Sequence, residues 1–376
     1  MLTATRVGLV AAALVGTTLP LIVAASPAEA ATCISEASGN PLAPFACDDA
    51  DAPNTSITAT PVRNGWITTS SATFAFSGAY DDSDTGALAL ECRFNGQGIA
   101  STTTWSTCES PKTYSGLQDT TSGYTFEVRA YDATDRAVHP DPVLDFGKTD
   151  TNPDEEDATP AKVVFKVDTT VPTGYLIGGP YDELTPANPV LWSRATSYTL
   201  GASESPADFA CRLSSIAVAC GDGTKRLTGL TSGNKTFTLR VSDPAGNTDP
   251  HLRSKRFTVP WNGIGSAAER TRWKRVTSRG YFDGDYLETR IKGATLSRPN
   301  TTLTELRLRI PKAPGLGSFR VKIGDTYFKP VYEASSTTST HNIVVVRGPN
   351  TVRMTGTLRI IALTSKPVRI DAIMFR

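Results

Sequence analysis

The chain has 376 residues, 38 basic and 37 acidic, for a formal net charge of +1, and 39% of its residues are hydrophobic. That supply of apolar side chains excludes a mainly disordered chain, and at roughly 100 to 150 residues per domain the length calls for two or three domains rather than one core. The balanced total conceals a split: residues 31–250 hold 14 Lys and Arg against 28 Asp and Glu, a net −14, whereas residues 251–376 hold 23 against 8, a net +15.

Residues 1–30 read as an export signal. Arg6 supplies the charged start, Val7 to Ala25 the apolar run, and Ala28-Glu29-Ala30 the small-residue cleavage site. Gly16, Pro20 and Pro27 interrupt the run and argue against a membrane anchor. No later stretch reaches the ~20 apolar residues of a span. The expected product is extracellular, either secreted or held non-covalently at the cell surface, with no transmembrane segment in the mature chain.

Six cysteines follow, at Cys33, Cys47, Cys92, Cys108, Cys211 and Cys220. An even number in an oxidising compartment suggests disulfides, and chain order suggests three local bridges: Cys33–Cys47, Cys92–Cys108 and Cys211–Cys220. The first would pin a short N-terminal segment, residues 31–51. No Cys-x-x-Cys occurs and the three histidines are scattered, which argues against zinc.

From residue 52 the sequence repeats itself. Leu90-Glu91-Cys92-Arg93-Phe94 is echoed by Phe209-Ala210-Cys211-Arg212-Leu213; each is followed by a second cysteine and then by Gly-Leu, at Gly116-Leu117 and Gly229-Leu230. Thr125-Phe126-Glu127-Val128-Arg129 matches Thr236-Phe237-Thr238-Leu239-Arg240, and Val164-Phe165-Lys166-Val167 matches Arg256-Phe257-Thr258-Val259. Short runs of period-two alternation between Gly, Asn, Asp and Pro clusters predict an antiparallel β-sandwich for each copy. The first copy, 52–168, carries an acidic insertion from Val138 to Ala158, read as a loop because a matching strand, Ala161 to Val167, lies beyond it. The second copy spans 169–260, with Pro-containing joints at Asp168-Thr169-Thr170-Val171-Pro172 and Val259-Pro260.

The combined string of Cys-Arg-Phe/Leu, a second Cys, Ser110-Pro111-Lys112-Thr113-Tyr114-Ser115-Gly116-Leu117, Asp243-Pro244-Ala245-Gly246-Asn247 and Asp-Thr-Thr-Val-Pro resembles the bacterial immunoglobulin-like repeat of secreted and surface proteins, often actinobacterial. The resemblance implies Ig-like sandwiches acting as spacers or adhesive modules, without catalysis. Copy one departs from it at Asp132-Ala133-Thr134-Asp135, where the Ala-Gly-Asn turn is lost. Spacings of 16 and 9 residues between the paired cysteines close small loops, a constraint worth roughly 2 to 3 kcal/mol each.

Residues 261–376 lack cysteine and read as longer strands. Leu306, Leu308 and Ile310 alternate with Glu305, Arg307 and Arg309, and Phe319, Val321 and Ile323 alternate with Arg320 and Lys322. Further strands are expected at Ile343 to Arg347, Gly356 to Leu363 and Val368 to Ile373. Each should pack one face and leave the other basic. Together with Trp273-Lys274-Arg275-Val276 and Gly280-Tyr281-Phe282-Asp283-Gly284-Asp285-Tyr286, this segment is similar to a C-terminal domain of the jelly-roll, carbohydrate-binding-module type. The fold class is therefore all-β: two tandem Ig-like β-sandwiches followed by a third, jelly-roll-like β-sandwich.

The charge of +15 on residues 251–376 favours an anionic partner, a cell-envelope polymer or glycan. Arg307, Arg309, Arg320, Lys322, Arg359 and Arg369 are the candidate cations. Trp273, Tyr281, Tyr286, Tyr327 and Tyr332 are candidates for stacking on sugar, with core packing as the competing role for each. No catalytic residue is assigned: nucleophile elbow, Walker loop, zincin and dinucleotide motifs are absent from the sequence. The competing class is an extracellular carbohydrate-active enzyme or accessory subunit, for which Asp283, Asp285 and Glu288 would be the acid and base. No nucleic-acid partner is expected, since neither the compartment nor a recognition motif fits. No cofactor is required. The acidic runs Asp81-Asp82-x-Asp84 and Asp154-Glu155-Glu156-Asp157 offer oxygen ligands suited to Ca²⁺, with solvated loops as the competing reading.

Overall fold

A computed structural model describes residues 52–80, 88–99, 103–132, 144–145, 148–149 and 156–376. Cys33, Cys47, residues 1–51 and the acidic residues 81–84, 154 and 155 lie outside the described residues. The chain divides into two compact units. One comprises residues up to Pro61, Ser71–Ser115 and Ser122–Phe165, and the other Val62–Ser70, Gly116–Thr121 and Lys166–Arg376.

The first sandwich is made from β1 (Asn54–Ala59), β2 (Trp66–Ile67), β3 (Ser71–Ala79), β4 (Leu88–Gly96), β5 (Ser106–Thr107), β6 (Lys112–Ser115), β7 (Thr120–Asp132), the small hairpin β8 (Leu144–Asp145) and β9 (Lys148–Thr149), and β10 (Ala161–Val167). One sheet has the order β1-β3-β6; the other runs β10-β7-β4-β5, with β2 parallel to the last two residues of β10. Alternation puts Ala72, Phe74 and Phe76 of β3 inward, and Phe74 stacks on Phe126 with ring centroids 4.4 Å apart. Cys92 is bonded to Cys108. The strand beyond the insertion, β10, lies beside β7, where the sequence repeat puts it.

The second sandwich has β11 (Gly174–Gly178), β12 (Thr196–Ala202), β13 (Asp208–Leu213), β14 (Ile216–Val218), β15 (Gly223–Leu227), β16 (Gly233–Ser242) and β17 (Arg253–Val259), in sheets β11-β12-β15 and β14-β13-β16-β17. Its core holds Tyr198, Leu200, Phe237, Leu239, Phe257 and Val259. Cys211 is bonded to Cys220. At the turn after β16, Asp243 accepts hydrogen bonds from Gly246 N (2.7 Å) and Asn247 N (2.9 Å). Gly246 sits at φ +102, a conformation side chains disfavour. Asn247 Nδ2 then donates to Asp168 O at 2.8 Å, and Asp119 accepts from Thr169 N and Oγ1 and from Thr170 Oγ1, so the Asp-Thr-Thr joint is bonded on both sides.

The terminal sandwich starts with a four-residue helix, α1 (Ala267–Arg270), held by a capping box between Ser266 and Glu269. Its strands are β18 (Lys274–Thr277), β19 (Asp285–Thr289), β20 (Thr295–Leu303), β21 (Leu306–Lys312), β22 (Ser318–Ile323), β23 (Thr326–Glu333), β24 (Thr340–Arg347), β25 (Met354–Ala362), β26 (Val368–Ile370) and β27 (Ala372–Phe375). They form sheets β18-β19-β26, β20-β25-β22-β23 and β24-β21-β27 around one apolar core. The single strand expected from Val368 to Ile373 is broken at Asp371. There the chain leaves the partner β19 for the partner β21, and the carboxylate at the corner is fully buried.

Candidate functional site

β21 and β22 both turn their apolar residues inward: Leu308, Ile310, Phe319 and Val321 are buried. Their basic residues meet different surroundings. The outer side of β21 at Arg307 meets the second sandwich, while the neighbouring Ile343 and Val345 of β24 stay exposed. Among the described residues no such contact meets the outer side of β22, where Arg320 and Lys322 stand beside the exposed Tyr327.

On the covered face Arg307 is 1% exposed. Its Nη1 donates to Asp182 Oδ2 at 2.7 Å, its Nε to Glu305 Oε1 at 2.5 Å and its Nη2 to Thr185 Oγ1 at 3.1 Å. Burial would raise the Asp182 carboxyl, but hydrogen bonds from Thr185 and Val190 N together with Arg307 hold it below the usual carboxylate range. Arg376 continues the network to Glu305 Oε2 (2.8 Å), Thr258 Oγ1 (3.0 Å) and Asn188 O. Nearby, Phe282 joins the second sandwich's core, and Arg194 lies over its ring while pairing with Asp283 at 3.1 Å. Arg309 stands 3.1 Å from Asp371, whose other oxygen accepts from Phe282 N at 2.7 Å. Burial pushes the Asp371 carboxyl up to about 6, against the pull of that hydrogen bond and of Arg309.

These contacts correct the expectation that Arg307 and Arg309 present charge to a ligand. Arg307 is engaged with the second sandwich, and Arg309 is held within its own sandwich by Asp371 and Gly280 O. Three aromatic candidates are also corrected: Trp273 (1% exposed), Tyr286 (6%) and Tyr332 (7%) are core residues with no open ring face. Tyr281 is half-buried and packed between Tyr286 and His341, with centroids 4.4 and 4.5 Å away. Arg369 lies over Tyr286 and pairs with Glu288 at 2.7 Å.

What remains is the open sheet. Register puts Tyr327 opposite Lys322, Lys322 opposite Arg359, and Arg359 opposite Ser297, one row across all four strands. Directly opposed residues project from the same face. Tyr327 is 47% exposed, with Arg320 and Lys322 standing 5.5 and 5.4 Å from its ring centroid. Irregular register around Val321 marks a bulged stretch of the β22–β23 pair. Beside it is a depression of about 370 Å³ lined by Arg320, Tyr327, Phe328, Lys329 and Pro330. Arg320 Nε donates to Pro330 O at 2.8 Å. Asp325, fully exposed, lies 3.8 Å from Lys322. The far end of the row is closed by Glu269, which accepts from Ser297 N and Oγ.

No protein-family model matches this sequence, and no curated protein matches it. Among solved structures the chain is similar to fibronectin(III)-like modules of Clostridium thermocellum CbhA, at 14% identity over 55% of this chain and 94% of that one, with a TM-score of 0.30. It is also similar to a carbohydrate-binding module of the β-sandwich superfamily (12% identity, 56% and 99% covered, TM-score 0.29) and to murine CEACAM1b (11%, 55% and 96%, 0.26). Likenesses this slight carry nothing about the site.

The acidic residues sort in the same way. Asp283, Asp285 and Glu288 each pair with an arginine: Arg194, Arg275 and Arg369. Glu156 pairs with Arg129, and Asp157 accepts from Thr159 N. Asp168, Glu204 and Asp243 bring carboxylate oxygens within 4.8 Å of one another, the one such group of candidate cation ligands among the described residues. Burial and the two aspartates raise the Glu204 carboxyl. Asp243, however, already accepts three hydrogen bonds from Gly246 and Asn247 within its own turn. Sequence reading missed Phe328, Lys329 and Pro330 as a wall of the depression. The alternation of β22 was the available signal, since its outward positions name the neighbours that a hairpin partner must flank.

Proposed function

We propose that this chain is an extracellular, non-catalytic binding protein in which Ig-like sandwiches carry a terminal sandwich that binds an anionic envelope polymer or glycan, with domain limits near Asp168 and Pro260. The observation that carries this reading is the pair Arg320 and Lys322 beside the half-exposed Tyr327 ring, with Lys329 in the wall of the depression and Arg359 next to Lys322 in the row. Cations gathered without buried acids attract a polyanion, and an aromatic face beside them adds a surface that sugar rings can stack on. The two disulfides support an oxidising compartment.

The full chain should bind a soluble anionic polysaccharide in calorimetry at low salt. Arg320→Glu and Lys322→Glu should each weaken that binding about tenfold, because each replaces an attraction with a repulsion. The polymer should be recovered at its original length after incubation. Shortened polymer would instead support the carbohydrate-active enzyme, and unchanged binding by both variants would remove the site from this face.

A further inference from the structure

The order of groups in the cross-strand row narrows the ligand, given that reading of the face. Lys322 and Arg359 are register partners on adjacent strands, so their backbones lie about 4.8 Å apart. Both side chains are long and leave the same face of the sheet, so both can reach the two oxygens of a single carboxylate, where charge-assisted hydrogen bonds are shorter and stronger than neutral ones. The Lys322 ammonium rests 5.4 Å from the Tyr327 ring and 3.8 Å from the exposed Asp325. Arg359 adds a planar fork suited to that group, and Lys322 adds a point charge. One strand further on, in the same row, stands the exposed ring of Tyr327. The row therefore presents an aromatic ring and two long cationic side chains on one face.

We infer that the open sheet selects a uronic acid, a sugar whose carboxylate is attached directly to the pyranose ring. In that ligand the ring's C–H face lies on Tyr327 while its carboxylate enters between Lys322 and Arg359. Arg320 and Lys329, beside the depression, meet the next acidic residue of the polymer. A neutral sugar would leave the cation pair without a partner. A phosphate polymer would satisfy the cations and leave the tyrosine without a ring to cover. On the other side the row ends at Ser297, already held by Glu269, so the acidic polymer is steered toward β23 and away from β20.

Three probes separate these demands when titrated against the full chain: an oligogalacturonate, its methyl ester, which keeps the rings and loses the charge, and inorganic polyphosphate, which keeps charge and lacks rings. The acid oligomer should bind at least tenfold tighter than the ester. Tyr327→Ala should weaken the acid oligomer about tenfold and leave polyphosphate within twofold, while Tyr327→Phe keeps both. Lys322→Ala and Arg359→Ala should weaken the acid oligomer and polyphosphate alike. Ester and acid binding equally well, or Tyr327→Ala leaving the acid oligomer unaffected, overturns the uronate assignment while the binding face stands. Binding of none of the three probes, or binding indifferent to Lys322→Ala and Arg359→Ala, overturns the face itself.

Discussion

β21 and β22 look alike in sequence, each with two basic residues between inward-facing aliphatic or aromatic ones, yet Arg307 is buried among acids and Arg320 borders an open depression. The difference comes from what faces each strand. Glu305 precedes Arg307 by two residues, and Asp182 reaches it from the second sandwich. The cations of β22 meet Tyr327, Pro330 O and the solvated Asp325. A positive charge buried against carboxylates holds two domains together, and a positive charge left at the surface is available to a ligand.

Replacing the two arginines in turn is the strongest way to break this contrast. Arg307→Ala leaves the half-buried Asp182 without its cation and Glu305 with Arg376 alone, and should cost about 3 kcal/mol. Arg320→Ala removes a surface contact and should cost less than about 1 kcal/mol. Urea denaturation of both variants measures the gap, and equal losses would erase the distinction between the faces.

Phe282→Ala probes the same junction through packing, removing the ring that lies under Arg194 and leaving the Arg194–Asp283 pair in place. Its ring is buried in the core of the second sandwich, so truncation should cost about 3 kcal/mol, near the low end for phenylalanine. Limited proteolysis near Pro260 should accelerate in the same variant. An unchanged cleavage pattern would mean that the ring does not help hold the junction.

Asp371 gives the covered face a pH signature. Its folded pKa is raised to about 6, above the unfolded value near 3.9, so the folded state holds the proton more tightly. Its contribution is complete below about pH 4 and is lost as pH rises through about 6, an effect on the order of 3 kcal/mol. Asp371→Asn should flatten that part of the stability–pH curve. A curve of the same shape in the variant would assign the titration to another group.

Much of the framework could be read from residue order. The paired Cys-Arg segments marked the two repeats, the cysteine spacing marked the bridges Cys92–Cys108 and Cys211–Cys220, and alternation marked the inward residues of β3, β21 and β22. Alternation shows which side of a strand is polar and says nothing of what covers that side. The role of Arg307 depends on Asp182, 125 positions away in the chain. Trp273 and Tyr286 were ambiguous for a related reason: a large ring serves a core as well as a ligand, and only packing separates the two. The break at Asp371 escaped because a strand that changes sheets keeps its apolar pattern on both sides of the corner.

Salt dependence tests most directly whether the open face acts through exposed charge. As ionic strength rises from about 0.1 to 1 M, the screening length falls from about 10 to about 3 Å. The affinity of the full chain for oligogalacturonate should drop at least tenfold over that range while the fold, held by the buried Arg307 network, stays intact by circular dichroism. Affinity that stays constant across the range would contradict the account and return the site to uncharged stacking alone.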